Sequence, residues 1–265
     1  MTGEWVCLMY HDIGSSRDHG GPIEAGDDPT FTVTPEGFAA QLDQLAALGY
    51  RGVSLDRAVA GGVAAPVAIT FDDGNIGQVR HGVQALVGRG MTATFFVTTD
   101  WIGTPGFASW DELRDMKAAG MSIQSHSRTH PLLASVDRAR ARSELVESKR
   151  VLDQALGQDT DTFALPGGSM PAGDWRGLFA EAGYRWIATS QWGVNSPDRA
   201  SPVVRRCTIR GDVSSAWFER VLRGDRRLAA GRLARERLLA AARTVLGPTR
   251  YSDVRSRLLA LVRGR

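Results

Sequence analysis

Two adjacent carboxylates and two imidazoles four residues apart carry the chemistry of this chain. Asp72 and Asp73 stand in Thr70-Phe71-Asp72-Asp73-Gly74, and about fifty residues later comes His126-Ser127-Arg128-Thr129-His130. One carboxylate oxygen and two imidazole nitrogens can hold a divalent metal while leaving coordination positions open for water and substrate, as catalytic zinc sites do. The second carboxylate is then left for proton transfer. Asp-Asp-Gly alone also reads as a plain turn, and a lone His-x-x-x-His as a structural pair. Both signals at the ends of strand-like runs point together to a site.

The elements that must position these groups follow from the flanking residues. Pro66-Val67-Ala68-Ile69-Thr70-Phe71 is short, apolar and β-branched, and Asp-Asp-Gly stops it, so it reads as a buried strand of a parallel sheet ending in a tight turn. The carboxylates therefore sit at a strand's C-terminal end, where α/β folds place their chemistry. His126 follows a second strand-like run, Met121 to Ser125, and His130 lies just before Pro131.

At these residues the chain resembles the polysaccharide deacetylase family, the NodB-homology or carbohydrate esterase 4 group. Its first motif, T-F-D-D-G, is matched without change, and its second, H-S/T-x-x-H, as H-S-R-T-H. The similarity continues through Ala93-Thr94-Phe95-Phe96-Val97 and covers roughly residues 5 to 210. It implies a distorted (β/α)7 TIM-like α/β barrel, with Asp73, His126 and His130 binding a divalent metal, zinc before others, and Asp72 as general base. Chemistry asks for the same division, because a metal-bound carboxylate keeps little basicity whereas its free neighbour can accept a proton from the attacking water.

Two departures from the family pattern stand out. The third motif usually carries an arginine and a tyrosine flanking two prolines, whereas this chain has Phe163-Ala164-Leu165-Pro166-Gly167-Gly168. Ala164 stands at the arginine position and Gly167 at the tyrosine position. A backbone N–H at Gly167 can still stabilise an oxyanion without any side chain. Arg206, in the strand-like run Val203 to Ile209, is the candidate to replace the arginine that braces the base. Pro166, Gly168 and Arg206 are also the expected substrate contacts. The second departure is that no histidine follows His130, so the late L-x-x-H-D motif with its acid histidine is missing. Leu8-Met9-Tyr10-His11-Asp12 supplies that pattern at the other end of the chain, resembling the branch whose barrel is circularly permuted. First and last strands of a closed barrel are neighbours, so moving one strand between termini keeps its side chain in place. His11 is therefore the expected acid that protonates the leaving amine.

Length and composition agree with one compact enzyme domain. The chain has 265 residues, 43% hydrophobic and 23% charged, ordinary for a globular protein with a sizeable core. Strand-like runs alternate with helical stretches at Pro35–Leu48, Trp110–Ala119, Asp137–Leu156 and Asp174–Gly183, with Gly49 and Gly183 as stops. Cys7 and Cys207 cannot form a disulfide framework and read as buried free thiols on first and last strands. No apolar stretch approaches the roughly 20 residues of a membrane span. Nothing at the N-terminus reads as a signal peptide, so the cytoplasm is the expected location.

Composition shifts near the end. From Val221 on, twelve arginines face only Asp225, Glu236 and Asp253, about +9 in a chain whose total is +3. The expected domains are a barrel over 1–217 and a basic amphipathic helical extension over 218–265. Such helices attract anionic headgroups or a lipid-linked glycan, which would give peripheral membrane contact; a tail packed on the barrel is the plainer reading. Nucleic acid is not expected, because no aromatic platform interleaves the charges. The resulting function is metal-dependent removal of N-acetyl groups from amino sugars of a poly- or oligosaccharide. The alternatives are deacylation of a small or lipid-linked amino sugar and a carbohydrate-binding scaffold with a relict site. Trp101, Trp186 and Trp192 are candidate sugar-stacking residues if exposed. The oligomeric state is not legible.

Overall fold

The structure is a computed structural model that describes residues 3–14, 29–168, 170–171, 173–196 and 201–231. Its eleven strands are β1 (Val6–Tyr10), β2 (Asp12–Ile13), β3 (Thr32–Val33), β4 (Arg51–Val53), β5 (Pro66–Phe71), β6 (Thr94–Val97), β7 (Ser122–Ser125), β8 (Thr162–Ala164), β9 (Trp186–Ala188), β10 (Val203–Val204) and β11 (Cys207–Thr208). Seven α-helices accompany them: α1 (Pro35–Ala47), α2 (Leu55–Ala60), α3 (Gln84–Val87), α4 (Trp110–Ala118), α5 (Arg138–Leu156), α6 (Trp175–Glu181) and α7 (Ser215–Leu222).

Nine strands form one parallel sheet in the order β10-β9-β8-β7-β6-β5-β1-β11, with β4 also paired to β5. The edge strands β10 and β11 are separated in the chain only by Arg205 and Arg206, so the sheet must curl until its two edges approach each other. This is the deformed α/β barrel that the sequence predicts, and the first strand does lie beside the last, with Leu8 opposite Cys207. Parallel strands need cover on both faces. Val67 to Phe71 of β5 are accordingly all buried, and Phe71 stacks on Phe95 at 4.7 Å. Cys7, Ala68, Phe96, Ala164, Ala188 and Val204, each from a different strand, share one buried cluster. Arg206 is fully buried beside this cluster, its guanidinium 5.3 Å from the Phe96 ring.

Three of the expected helices start at a capping side chain. Thr34 accepts from Gly37 N ahead of α1, Ser109 and Glu112 form a reciprocal capping box on α4, and Asp137 accepts from Arg140 N ahead of α5. One strand expectation needs correction. Val203–Ile209 reads as a single strand but is two short strands on opposite sheet edges, because Arg205 N is taken by Asn195 Oδ1 and Arg206 N by the Gln191 carbonyl instead of by one continuous ladder. Both cysteines are buried thiols outside any disulfide.

The chain divides into compact units Met1–Gly224 and Asp225–Arg265. The boundary expected at 217/218 falls inside α7, whose Phe218, Val221 and Leu222 are buried with the first unit. The basic helices expected beyond residue 231 lie outside the described residues. No helix among the described residues is long and apolar enough to cross a membrane.

Candidate active site

Both ligand-bearing segments leave the sheet at strand C-termini, one after β5 and one after β7. Asp72 N still donates to the Tyr10 carbonyl, continuing the ladder to β1, and the chain then turns sharply with Asp73 at φ 78°. Only four described non-glycine residues have positive φ, and three are Asp73, Ser127 and His130. Side-chain-bearing residues avoid this region, so strain of this kind marks places where geometry serves a purpose other than stability. Here it brings Asp73 Oδ1 to 3.4 Å from His126 Nε2 and 3.5 Å from His130 Nε2.

The three side chains offer ligand atoms all within 4.8 Å of one another. His126 Nδ1 lies 2.9 Å from the Ala164 carbonyl, which accepts only from an N–H. That bond puts the proton on Nδ1 and leaves the Nε2 lone pair facing Asp73 and His130, the tautomer a metal ligand needs. Two imidazoles and a carboxylate so arranged fit a divalent ion.

Asp72 is in a different situation. Its side chain is 4% exposed, and the Arg206 guanidinium grips it with two parallel bonds, Nη1 to Oδ1 at 2.6 Å and Nη2 to Oδ2 at 2.8 Å. Arg206 Nε donates to the Thr189 carbonyl at 3.0 Å, which fixes the fork's orientation. Burial pushes the Asp72 carboxyl upward, but Arg206 and then His126 outweigh it, and its pKa lies below the ordinary aspartate value. Asp73 is likewise lowered, burial being outweighed by its bond to His126. His126 is pushed down by burial yet ends above the usual imidazole value because Asp72 and Asp73 face it. His130, buried beside His126, falls to about 4.

His11 follows β1 directly. Its ring lies 5.0 Å from Phe31, and its Nδ1 is buried with no hydrogen-bond partner among the described residues. Gly167 is exposed at φ 57°, and a Cβ there would come 2.6 Å from Leu132 Cδ2. The positive φ rather than the Leu132 tip, which belongs to an exposed side chain, is what favours glycine there. Two expected substrate contacts need correction. Pro166 is buried and Arg206 fully so, and neither presents a surface to substrate. Gly168 is half-exposed.

Two positioning residues escaped the sequence reading. Glu144, 1% exposed on α5, accepts from Arg128 N at 2.9 Å, Thr129 N at 2.7 Å and Thr129 Oγ1 at 2.7 Å, and it pairs with Arg140. It pins the loop between the two histidines. The available signal was a glutamate within the buried stripe of Ala141, Leu145, Ser148 and Leu152. Gln78 opens a π-helical turn and donates to both the Asp72 and His11 carbonyls, tying the two strand ends together. Nothing in its sequence context singles it out.

Residues 62–187 match the family model described as polysaccharide deacetylase. Over these residues the chain carries a polysaccharide deacetylase domain. The matched segment holds Asp72, Asp73, His126, His130 and Gly167, while His11 and Arg206 fall outside it. A putative polysaccharide deacetylase of Bacillus subtilis, YxkH, is 27% identical over 152 residues, which cover 57% of this chain and 54% of that protein. A chitooligosaccharide deacetylase of Bradyrhizobium is 32% identical over 143 residues, 53% of this chain and 61% of that one. The chain thus spans between half and two thirds of these relatives' length. Among solved structures, the Streptococcus pyogenes deacetylase PplD in complex with acetate superposes with a TM-score of 0.72 at 26% identity, covering 84% of this chain and 99% of that one.

Proposed function

We propose that this chain hydrolyses N-acetyl groups from amino sugars of a poly- or oligosaccharide with the help of a divalent ion, zinc before others. The observation that carries the reading is the pairing of a three-ligand cluster, Asp73, His126 and His130, with a separate ionised carboxylate held by a buried arginine. Asp73, His126 and His130 would hold the ion, which would supply Lewis acidity and so make water a nucleophile near neutral pH. Asp72, kept anionic and oriented by Arg206, takes the proton of the attacking water. The exposed Gly167 N–H supports the developing oxyanion. His11 donates a proton to the departing amine, which without one is a very poor leaving group.

The relatives support acetyl as the acyl group and a glycan as the substrate class. One is named for chitooligosaccharides, and another holds acetate, the acid that N-deacetylation releases. The test is acetate release from a panel of N-acetylated oligosaccharides and lipid-linked amino sugars, run with the metal-loaded chain and after chelation. Chelator-sensitive release is expected from the oligosaccharides. A chain that holds about one divalent ion yet releases no acetate from any of them would overturn the substrate, and one that binds no divalent ion would overturn the whole reading.

A further inference from the structure

The loop between β6 and α4 carries two aromatic side chains that the proposed chemistry does not use. Trp101 and Phe107 lie 4.9 Å apart by ring centroids, and Trp101 also lies 5.0 Å from the ring of His130. Both aromatics are only half-buried. The loop itself is firmly held. Ile76 N donates to the Gly106 carbonyl and Ala108 N to the Gly74 carbonyl, which ties it to the Asp73 turn. Thr99 N donates to Ser127 O and Asp100 N to Arg128 O, which ties it to the segment between the histidines. Trp101 is therefore carried on backbone bonded to both ligand-bearing segments, and its place relative to them is set in advance.

We infer that Trp101 is a sugar-stacking platform, binding the C–H face of the pyranose next to the N-acetylated one in an oligosaccharide. This rests on the glycan-deacetylase reading above. A pyranose has an apolar face and a hydroxyl-bearing rim, and a rigid indole complements it with a large apolar surface at little cost in side-chain entropy. Phe107 and His130 contact the indole at tilts of 39° and 37°, edge-leaning contacts that leave part of the ring in solvent. Asp100 and Arg128, exposed and paired at 3.2 Å on the adjoining turns, supply an acceptor and a donor for the rim hydroxyls. Because Trp101 touches His130, a sugar on the indole has its neighbour over the ligand cluster.

The test measures binding of an N-acetylglucosamine tetramer by calorimetry to the full chain and to Trp101→Ala and Trp101→Phe, with metal content determined for each. Trp101→Ala should weaken binding about threefold to tenfold, in line with the worth of an aromatic contact, and Trp101→Phe should restore part of it. In turnover the loss should appear in KM and not in kcat. Unchanged binding in Trp101→Ala would overturn the inference, as would a loss of metal with equal falls in kcat and affinity, which would make the indole a support for His130. A wild-type chain that binds the tetramer through Trp101 but releases no acetate would overturn the deacetylase reading and leave the platform standing.

Discussion

Asp72 and Asp73 are chemically identical neighbours that do different things because of what surrounds them. Asp73 faces two imidazoles at 3.4 and 3.5 Å, while Asp72 is forked by an arginine with no exposed surface. The Asp72→Asn chain should keep its metal and lose about 10²- to 10⁴-fold in turnover, since an amide of the same shape accepts no proton; metal analysis and acetate release check this. If metal is lost instead, the two aspartates have exchanged roles. The same variant leaves the buried Arg206 charge uncompensated, at a cost of about 3–5 kcal/mol. The pH dependence of that cost has a definite sign. Asp72 has a lowered folded pKa, so its ionic contribution is fully present above the unfolded value of 3.8 and is lost as pH falls through the lower folded value. Urea unfolding should therefore show a wild-type advantage over Asp72→Asn that is flat from neutral pH to about pH 4 and declines below it. A gap that widened on acidification would exclude the charge pair as its source.

At the scale of elements, the parts of the site carried by contiguous sequence were legible and the parts made by distant contacts were not. The strands ending in Asp72 and His126 could be read because an apolar, β-branched run stopped by Asp-Asp-Gly or by histidine has few other structural solutions. The four longer helical stretches could be read from local spacing and glycine stops, and the structure adds a capping side chain at each start, Thr34, Ser109, Asp137 and Asp174, acting on backbone three residues away. Glu144 could not, because its partners lie 15 and 16 residues back in the chain and a glutamate on a helix is ordinarily solvated. Its carboxylate, bonded to Arg128 N, Thr129 N and Thr129 Oγ1, fixes the loop from which both histidines project. Glu144→Ala should leave the far-ultraviolet circular dichroism close to wild type and weaken metal binding about 10- to 100-fold, as read by competition with a chromogenic chelator. Glu144→Gln, which retains one acceptor, should fall between. Unaltered metal affinity in both would reduce Glu144 to a helix-packing residue.

The whole molecule depends on how the curled sheet closes. The two strands on its edges are consecutive in the chain, and the residues between them include the arginine that grips Asp72, so closure and the orientation of the Asp72 carboxylate are one structural event. Periodicity could not show this, because Val203–Ile209 has the composition of one strand, and the bonds that divide it, from Arg205 N to Asn195 and from Arg206 N to Gln191, reach 10 and 15 residues back in the chain. Closure also sets β1 between β5 and β11, next to the Asp72 strand end, and buries Cys7 so deeply that its thiol is pushed up to about 12. The native chain should thus resist a thiol reagent at pH 8 and react only on unfolding; rapid native labelling of Cys7 would mean that the sheet opens there. The placement of β1 gives His11 its proposed task. Its carbonyl is held by Gln78 and its Nδ1 is enclosed, so His11→Ala should remove the ring without displacing the ligand cluster. Release of acetate from an unactivated N-acetyl sugar should then fall about two orders of magnitude or more, within the range general acids contribute. An acetate ester with a good leaving group needs little protonation and should fall far less. Equal losses on both substrates, or none on either, would make His11 a structural residue and leave the departing amine to take its proton from another donor.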